Sequence, residues 1–439
     1  MMRTLKRIWA AGILGVMFVV SGPVQSESAQ AISGATDCRI PAKTKMSAKN
    51  VRSFGMEVGE MAKNRIEVYA HRGARSFAPE NSIPGYAAGL RIGTDWVDMD
   101  IVLSKEGEIM VTHDIWLNPD IVRYSPIENG KQVAIDVASG AFLANGKKAV
   151  TRGLSGAALS KRIQPLLVRN LSVDELRNFD VGRLNPENSY GKYFPDQIEV
   201  DGTRMPTLRE VINYVKKATG EKASRTISRV CDRVHGKRDE AFSDAPEVGF
   251  QIEIKTDPDH RDWTYSPQRI ATALYKILRE EGLTRRCEIQ AFDWPCLYEL
   301  QKLDPGIKTA YLTEWDNEIA TGSESFFDPD PKNAGRWTGG KQVKDFGGSI
   351  PRMVKELGGA CWEPEDAELT KEALDEAHGL GLKVVVWTWP EHIGTAFDAK
   401  LMSKLIDWGV DGIITDDPGR LISMLAARGY PLPRRYDVK

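Results

Sequence analysis

No glycine-rich phosphate loop or dinucleotide fingerprint follows any apolar run in this sequence, which argues against the nucleotide-binding folds built on such a loop. Nor is there a basic excess. Lysine plus arginine number 59 against 61 aspartates and glutamates, with no strong Lys/Arg run, so the electrostatic footprint of a nucleic-acid binder is missing. No internal repeat is found. Cysteine is sparse: five are present (Cys38, Cys231, Cys287, Cys296, Cys361), and an odd number leaves at least one unpaired within the chain. They read as small buried hydrophobes or, in an oxidising compartment, as disulfide partners. The uncharged run from Ile8 to Val20 falls short of the ~20 apolar residues that span a bilayer. Arg3, Lys6 and Arg7 precede it and Ser21-Gly22-Pro23 follows, so residues 1–26 read as a secretory signal peptide, with cleavage as late as residue 31. The expectation is an exported protein, periplasmic or secreted, with no stable membrane anchor after cleavage.

What remains has the composition of a folded protein, 41% hydrophobic and 27% charged. After an N-terminal extension over residues 27–64, short Val/Ile-rich runs alternate with stretches of helical period, which predicts βα units around a parallel sheet over residues 65–430. Expected strands are Glu67–Ala70, Trp96–Val102, Ile109–Thr112, Phe250–Lys255, Glu288–Phe292, Thr309–Thr313, Ala360–Glu363, Val384–Trp387 and Gly412–Thr415. Only the turn-like Ser104-Lys105-Glu106-Gly107-Glu108 separates the second from the third, too little for a parallel crossover, so the third is a hairpin arm. Eight parallel strands are left. Helices follow at Asn81–Ile92, Pro267–Glu281, Pro295–Leu303 and Thr370–Leu380, and the fold expected is an α/β (β/α)8 TIM barrel; a doubly wound sheet is the alternative. Segments near 118–206, 221–247 and 315–350 read as loop insertions, the first containing a helix over Leu171–Phe179 with a Ser172/Glu175 capping box.

Candidate chemistry gathers where barrel loops form active sites. His71 and Arg72 follow the first strand directly; an imidazole exchanges protons near neutral pH and a guanidinium matches phosphate geometry. Glu80 and Asn81 either cap the next helix or enter the site. Asp98 and Asp100, two residues apart on a strand, share a face, and paired carboxylates inside a barrel call for a cation such as Mg²⁺ or Ca²⁺ unless the face is solvated. The hairpin returns His113 and Asp114 over them. Glu253 and Lys255 share another inward face, as a third metal carboxylate with a phosphate-directed ammonium or as a plain ion pair. Trp387 ends its strand as a pocket wall or a packing residue. His235, His260, His378 and His392 have no metal-ligand spacing and read as surface or packing residues.

Together Ala70-His71-Arg72-Gly73, Pro79-Glu80-Asn81-Ser82, Asp98-Met99-Asp100, Val111-Thr112-His113-Asp114, Glu253-Ile254-Lys255, Trp387-Thr388 and Asp411-Gly412-Ile413-Ile414-Thr415-Asp416 form a pattern that resembles the glycerophosphodiester phosphodiesterase family. The resemblance implies a TIM barrel, a divalent cation (Ca²⁺ or Mg²⁺), a small-molecule phosphodiester substrate, and hydrolysis to glycerol 3-phosphate and an alcohol. It implies His71 and His113 as the acid/base pair, Asp98, Asp100 and Glu253 as metal ligands, and Arg72 and Lys255 on phosphate. One departure stands out. The family usually has glutamate where this chain has Asp98, and the shorter carboxylate reaches a cation only through water or a shifted backbone. Phospholipase D-like cleavage of lysophospholipids on the same barrel, and an exported binding protein without activity, are the alternatives.

Overall fold

The computed structural model describes residues 65–125, 161, 163–185, 189–220, 247–314, 335–388 and 395–438, with the backbone of short strand segments between 127 and 150. The expected signal peptide and extension, the 221–246 part of the second insertion, and His235, His392, Cys38 and Cys231 lie outside the described residues.

Among the described residues, eight parallel strands close into a barrel. In chain order they are β1 (Glu67–Ala70), β2 (Trp96–Leu103), β4 (Gly249–Ile254), β5 (Cys287–Ala291), β6 (Lys308–Thr313), β7 (Cys361–Pro364), β8 (Lys383–Trp387) and β9 (Gly412–Thr415). Closure is made by β1, which pairs with β9 on one side and β2 on the other. The remaining strand, β3 (Ile109–Val111), runs antiparallel to β2, as a five-residue turn requires. The expected strand boundaries hold to within about a residue.

Each barrel strand leads to a helix: α1 (Ile83–Ile92), α2 (Leu208–Ala218), α3 (Pro267–Glu280), α4 (Pro295–Leu303), α5 (Ile350–Glu356), α6 (Lys371–Gly379), α7 (Ala399–Trp408) and α8 (Pro418–Ala427). Their starts are encoded locally. Ser82, Thr207, Ser266, Ser349, Thr370, Asp398 and Asp417 each accept a backbone N–H from the first turn that would otherwise lack a partner. The outer strand faces and inner helix faces form one apolar layer that includes Val68, Met99, Ile252, Ile289, Leu297, Leu374 and Leu421.

Inside the barrel, polarity is graded. Tyr69, Trp96, Ala310, Leu312, Cys361, Val385, Trp387 and Ile414 form an apolar cluster. A row of polar residues shares the interior with it, and the register sets that row: Asp98 stands opposite Gln251, and Asp100 opposite Glu253. Cys287, Cys296 and Cys361 are free and buried, in keeping with the hydrophobic reading.

The first insertion corrects the reading of that segment as loop. Leu117, Val122, Leu166, Val168, Leu176, Phe179 and Met205 pack with Val102 and Met110 into a core of their own, and Arg123–Tyr124 pairs with Phe179–Asp180. These apolar residues are scattered among Gly, Pro and Asn without a helical or strand period, so only their packing on the outer side of the hairpin reveals them. The capping box is formed as expected, but its helix is a single turn, Val173–Leu176.

The closest approach in the barrel wall is at Gly249. A Cβ there would lie 2.3 Å from the Trp96 ring. Gly249→Ala is therefore expected to lower the unfolding free energy by ~1–3 kcal/mol through overpacking, measured by urea denaturation; an unchanged midpoint would show that Trp96 can yield.

Candidate active site

The site begins with backbone strain. Directly after β1 the chain makes one 3-10 turn, His71–Gly73. Among the described residues, the non-glycine positions with left-handed φ are Arg72 (50°), Ala74 (84°) and Asn81 (50°), all in the loop between β1 and α1. Such conformations cost ~1–3 kcal/mol each and persist only where the surroundings fix them. Here β2 does so. The Arg72 N–H donates to Asp98 Oδ2 at 2.9 Å, and Asn81 Nδ2 donates to Asp100 Oδ2 at 2.7 Å. Asn81 also accepts from the Asp100 N–H at 3.2 Å and from the Tyr86 hydroxyl at 3.2 Å, so Ser82 alone takes the cap and Asn81 enters the site.

His71 is held from the far end of the chain. Its Nδ1 lies 2.6 Å from Asp416 Oδ1, just beyond β9, and Arg75 grips the same carboxylate through Nε at 2.5 Å and a second guanidinium nitrogen at 3.1 Å. A carboxylate on Nδ1 selects the tautomer that leaves Nε2 as the proton acceptor. Burial lowers the His71 imidazole to about 4, with Arg75 adding to the fall and Asp416 opposing it. His113, after β3, has Nδ1 3.2 Å from Asp114 Oδ1, and Asn118 donates to Asp114 at 2.8 Å. Burial also lowers His113; Arg72 and Lys255 contribute, while Asp100 and Asp114 oppose. Arg72 therefore acts on both imidazoles.

The carboxylates converge as their register requires. Lys255 Nζ donates to Glu253 Oε1 at 2.7 Å and lies 3.7 Å from Asp100 Oδ1, so the ion pair is present within the wider cluster. Arg72 Nε approaches Asp100 Oδ2 at 3.4 Å. Burial works against the Asp100 charge, but Arg72, Lys255 and His113 hold its carboxyl far below the usual range. Burial raises Glu253 to about 7, with Lys255 opposing and Asp100 contributing to the rise. Asp98 is pushed well up by burial and by Asp100. Its two oxygens serve the scaffold: Oδ2 takes the Arg72 N–H and Oδ1 accepts from Gln290 at 2.8 Å.

These residues suit a hard divalent cation. Three carboxylates face two cations, Arg72 and Lys255, a negative excess that together with burial raises the proton affinity of Asp98 and Glu253, and oxygen donors match Mg²⁺ or Ca²⁺. Among the described residues, no three such side chains converge as a finished ligand shell.

Trp387 is tied into the wall. Its Nε1 donates to the Glu363 carbonyl at 3.1 Å and its ring meets Phe292 edge-on at 5.6 Å. His260 pairs with Asp257 and stacks on Trp263, and His378 pairs with Asp411, as surface and packing residues do. Sequence reasoning missed Asp416, Arg75, Gln290 and Tyr190 as site residues. Asp416 alone carried a signal, the Thr-Asp end of the last strand motif.

Comparison with known proteins identifies the family. The chain matches the model of the "Glycerophosphoryl diester phosphodiesterase family" across residues 71–420. It is 33% identical over 358 residues to a glycerophosphodiester phosphodiesterase of Bacillus subtilis (strain 168), covering 82% of this chain and 86% of that protein. A glycerophosphodiester phosphodiesterase of Caldanaerobacter subterraneus subsp. tengcongensis is 22% identical over 363 residues, covering 82% and 98%. Among solved structures, a Silicibacter pomeroyi DSS-3 protein given the same family name superposes with a TM-score of 0.57 at 25% identity, covering 84% of this chain and 96% of that one.

Because the His71 ring is buried beside Arg75, it is expected to stay neutral down to about pH 5, well below the ordinary imidazole value of 6.5. Its ring resonances, followed by NMR as pH falls, check this in the cation-free protein; titration near 6.5 would refute the burial and charge environment described.

Proposed function

The chain belongs to the glycerophosphoryl diester phosphodiesterase family, and from that premise we propose that it hydrolyses glycerophosphodiesters to glycerol 3-phosphate and an alcohol, with His71 and His113 moving the protons. It is a phosphoric diester hydrolase on a TIM barrel. The observation that carries the proposed mechanism is that two buried imidazoles, each with a carboxylate on Nδ1, accompany Arg72 on a loop fixed by the carboxylates of β2.

A phosphodiester brings one negative charge to the mouth of the barrel. The Arg72 guanidinium, held by Glu80 at 2.9 Å and beside Asp100, supplies one positive charge for the phosphate, and Lys255 supplies a second. His71, neutral and with Asp416 on Nδ1, removes the proton from the attacking oxygen, either water or the neighbouring glycerol hydroxyl. His113 donates to the leaving alcohol. Arg72 and Lys255 hold its affinity for protons down, and a bound phosphodiester offsets both, so substrate favours its acid form. A divalent cation, Ca²⁺ or Mg²⁺, when bound supplies further neutralisation of phosphate charge. Asp100 and Glu253 would hold it, with Asp98, shorter than the family's usual glutamate and committed to Arg72 and Gln290, as the third ligand. Export, inferred from residues 1–26, places this activity in the periplasm or outside the cell. Family membership leaves the non-catalytic reading without support.

His71→Ala and His113→Ala are each expected to lower turnover of glycerophosphocholine by ~10²–10⁴ with an unchanged circular-dichroism spectrum. Near-normal rates in both would sink the assignment. A panel of glycerophosphodiesters and lysophosphatidylcholine, assayed with Ca²⁺, Mg²⁺ and chelator, tests the rest: glycerophosphodiester hydrolysis lost to chelator is expected, and a clear preference for the lipid would overturn the substrate class.

A further inference from the structure

We infer that Tyr190, carried by the first insertion, is a positioning residue that sets both the phosphate-binding arginine and the histidine base. The inference rests on the roles proposed for Arg72 and His71. Tyr190 lies in the short helical turn Ser189–Lys192 and packs on the insertion's own core. Its hydroxyl reaches the strained loop and stands at a branch point. It accepts from Arg75 at 2.6 Å and donates to Glu80 Oε2, and a guanidinium nitrogen of Arg72 lies 3.4 Å away.

Each branch ends on a residue with a proposed task. Along one, Glu80 accepts from Arg72 at 2.9 Å, which orients the guanidinium beside Asp100. Along the other, Arg75 holds Asp416, and Asp416 holds His71 Nδ1 at 2.6 Å. Glu80 and Asp416 are both almost wholly buried, so neither carboxylate has bulk water as a substitute partner. One phenol thus couples two arms of the site through short hydrogen bonds, where Arg75 and Glu80 by themselves approach only to 3.9 Å. It remains protonated, and so able to donate, because burial pushes the phenol well above its ordinary value and Glu80 adds to the rise, while Arg75 and Arg72 oppose.

The insertion also braces the loop beyond the hydroxyl. Phe194 lies under the Arg75 guanidinium at 4.8 Å, Gln197 Nε2 donates to the Arg75 carbonyl at 2.6 Å, and the Ile198 N–H donates to the Phe77 carbonyl at 3.1 Å. The excursion that separates β3 from α2 therefore returns to the first βα loop and supplies a side chain that the eight repeating units lack.

The test is Tyr190→Phe, which removes one oxygen and keeps the ring, in the full-length protein. Two readings are taken: binding of inorganic phosphate by calorimetry, which reports on Arg72, and kcat on glycerophosphocholine, which includes His71. Both are expected to fall about tenfold, the size typical of outer-shell partners, with the wild-type Tm. Arg75→Lys, which keeps the charge but loses the bidentate grip on Asp416, is expected to lower kcat while leaving phosphate affinity near wild type. Unchanged binding and kcat in Tyr190→Phe would overturn the inference, as would losses that appear only together with a lowered Tm. If wild-type protein turns over no glycerophosphodiester yet phosphate binding still weakens in Tyr190→Phe, the proposed reaction fails and the positioning role stands.

Discussion

The structure depends on one constraint above others: the carboxylates of β2 must hold the loop that follows β1 in a backbone conformation it would not adopt alone. Arg72, Ala74 and Asn81 all have left-handed φ, and Asp98 and Asp100 bind the first and last of them. Three such residues represent several kcal/mol of stored strain. The buried hydrogen bonds to the charged Asp100 and to Asp98 work against it. Asp98 and Asp100 therefore have structural work even before any cation is considered, and the loop places His71 and Arg72 at the mouth because those two side chains hold its ends.

The same constraint explains the unusual electrostatics. Burying Asp98, Asp100 and Glu253 against only Arg72 and Lys255 leaves too much negative charge in a low-dielectric interior. The barrel responds by raising Asp98 and Glu253 while Asp100 keeps its charge against Arg72, Lys255 and His113. A divalent cation would relieve the same excess without protons. Around this centre the two imidazoles share one balance: each has a carboxylate on Nδ1, yet burial and neighbouring cations lower its affinity for protons.

Much of this was legible in the sequence, for identifiable reasons. Period-2 alternation put Asp98 with Asp100 and Glu253 with Lys255, and the register set those pairs side by side. The short turn after β2 could only make a hairpin, which removed one strand and left eight. Ser82, Ser172 and Thr370 marked helix starts through hydrogen bonds that span three residues. The insertion was less legible. Its core is built from Leu117, Val122, Phe179 and Met205, too far apart to leave any period, and its one predicted helix shortened to a single turn once Phe179 paired with Tyr124.

By itself the sequence determined the eight βα units, their order, and the appearance of His71, Arg72, Glu253, Lys255 and Trp387 at strand ends, because each follows from contacts a few residues long. Tertiary structure alone decided which carboxylate orients His71. Asp416 lies 345 positions away and meets it only because β1 and β9 close the barrel. It likewise decided that Gln290 fixes Asp98 and that Tyr190 reaches Arg75 and Glu80. Such pairings carry no local period. They exist because closure and packing bring distant polar atoms together in a dry interior, where each must find a partner.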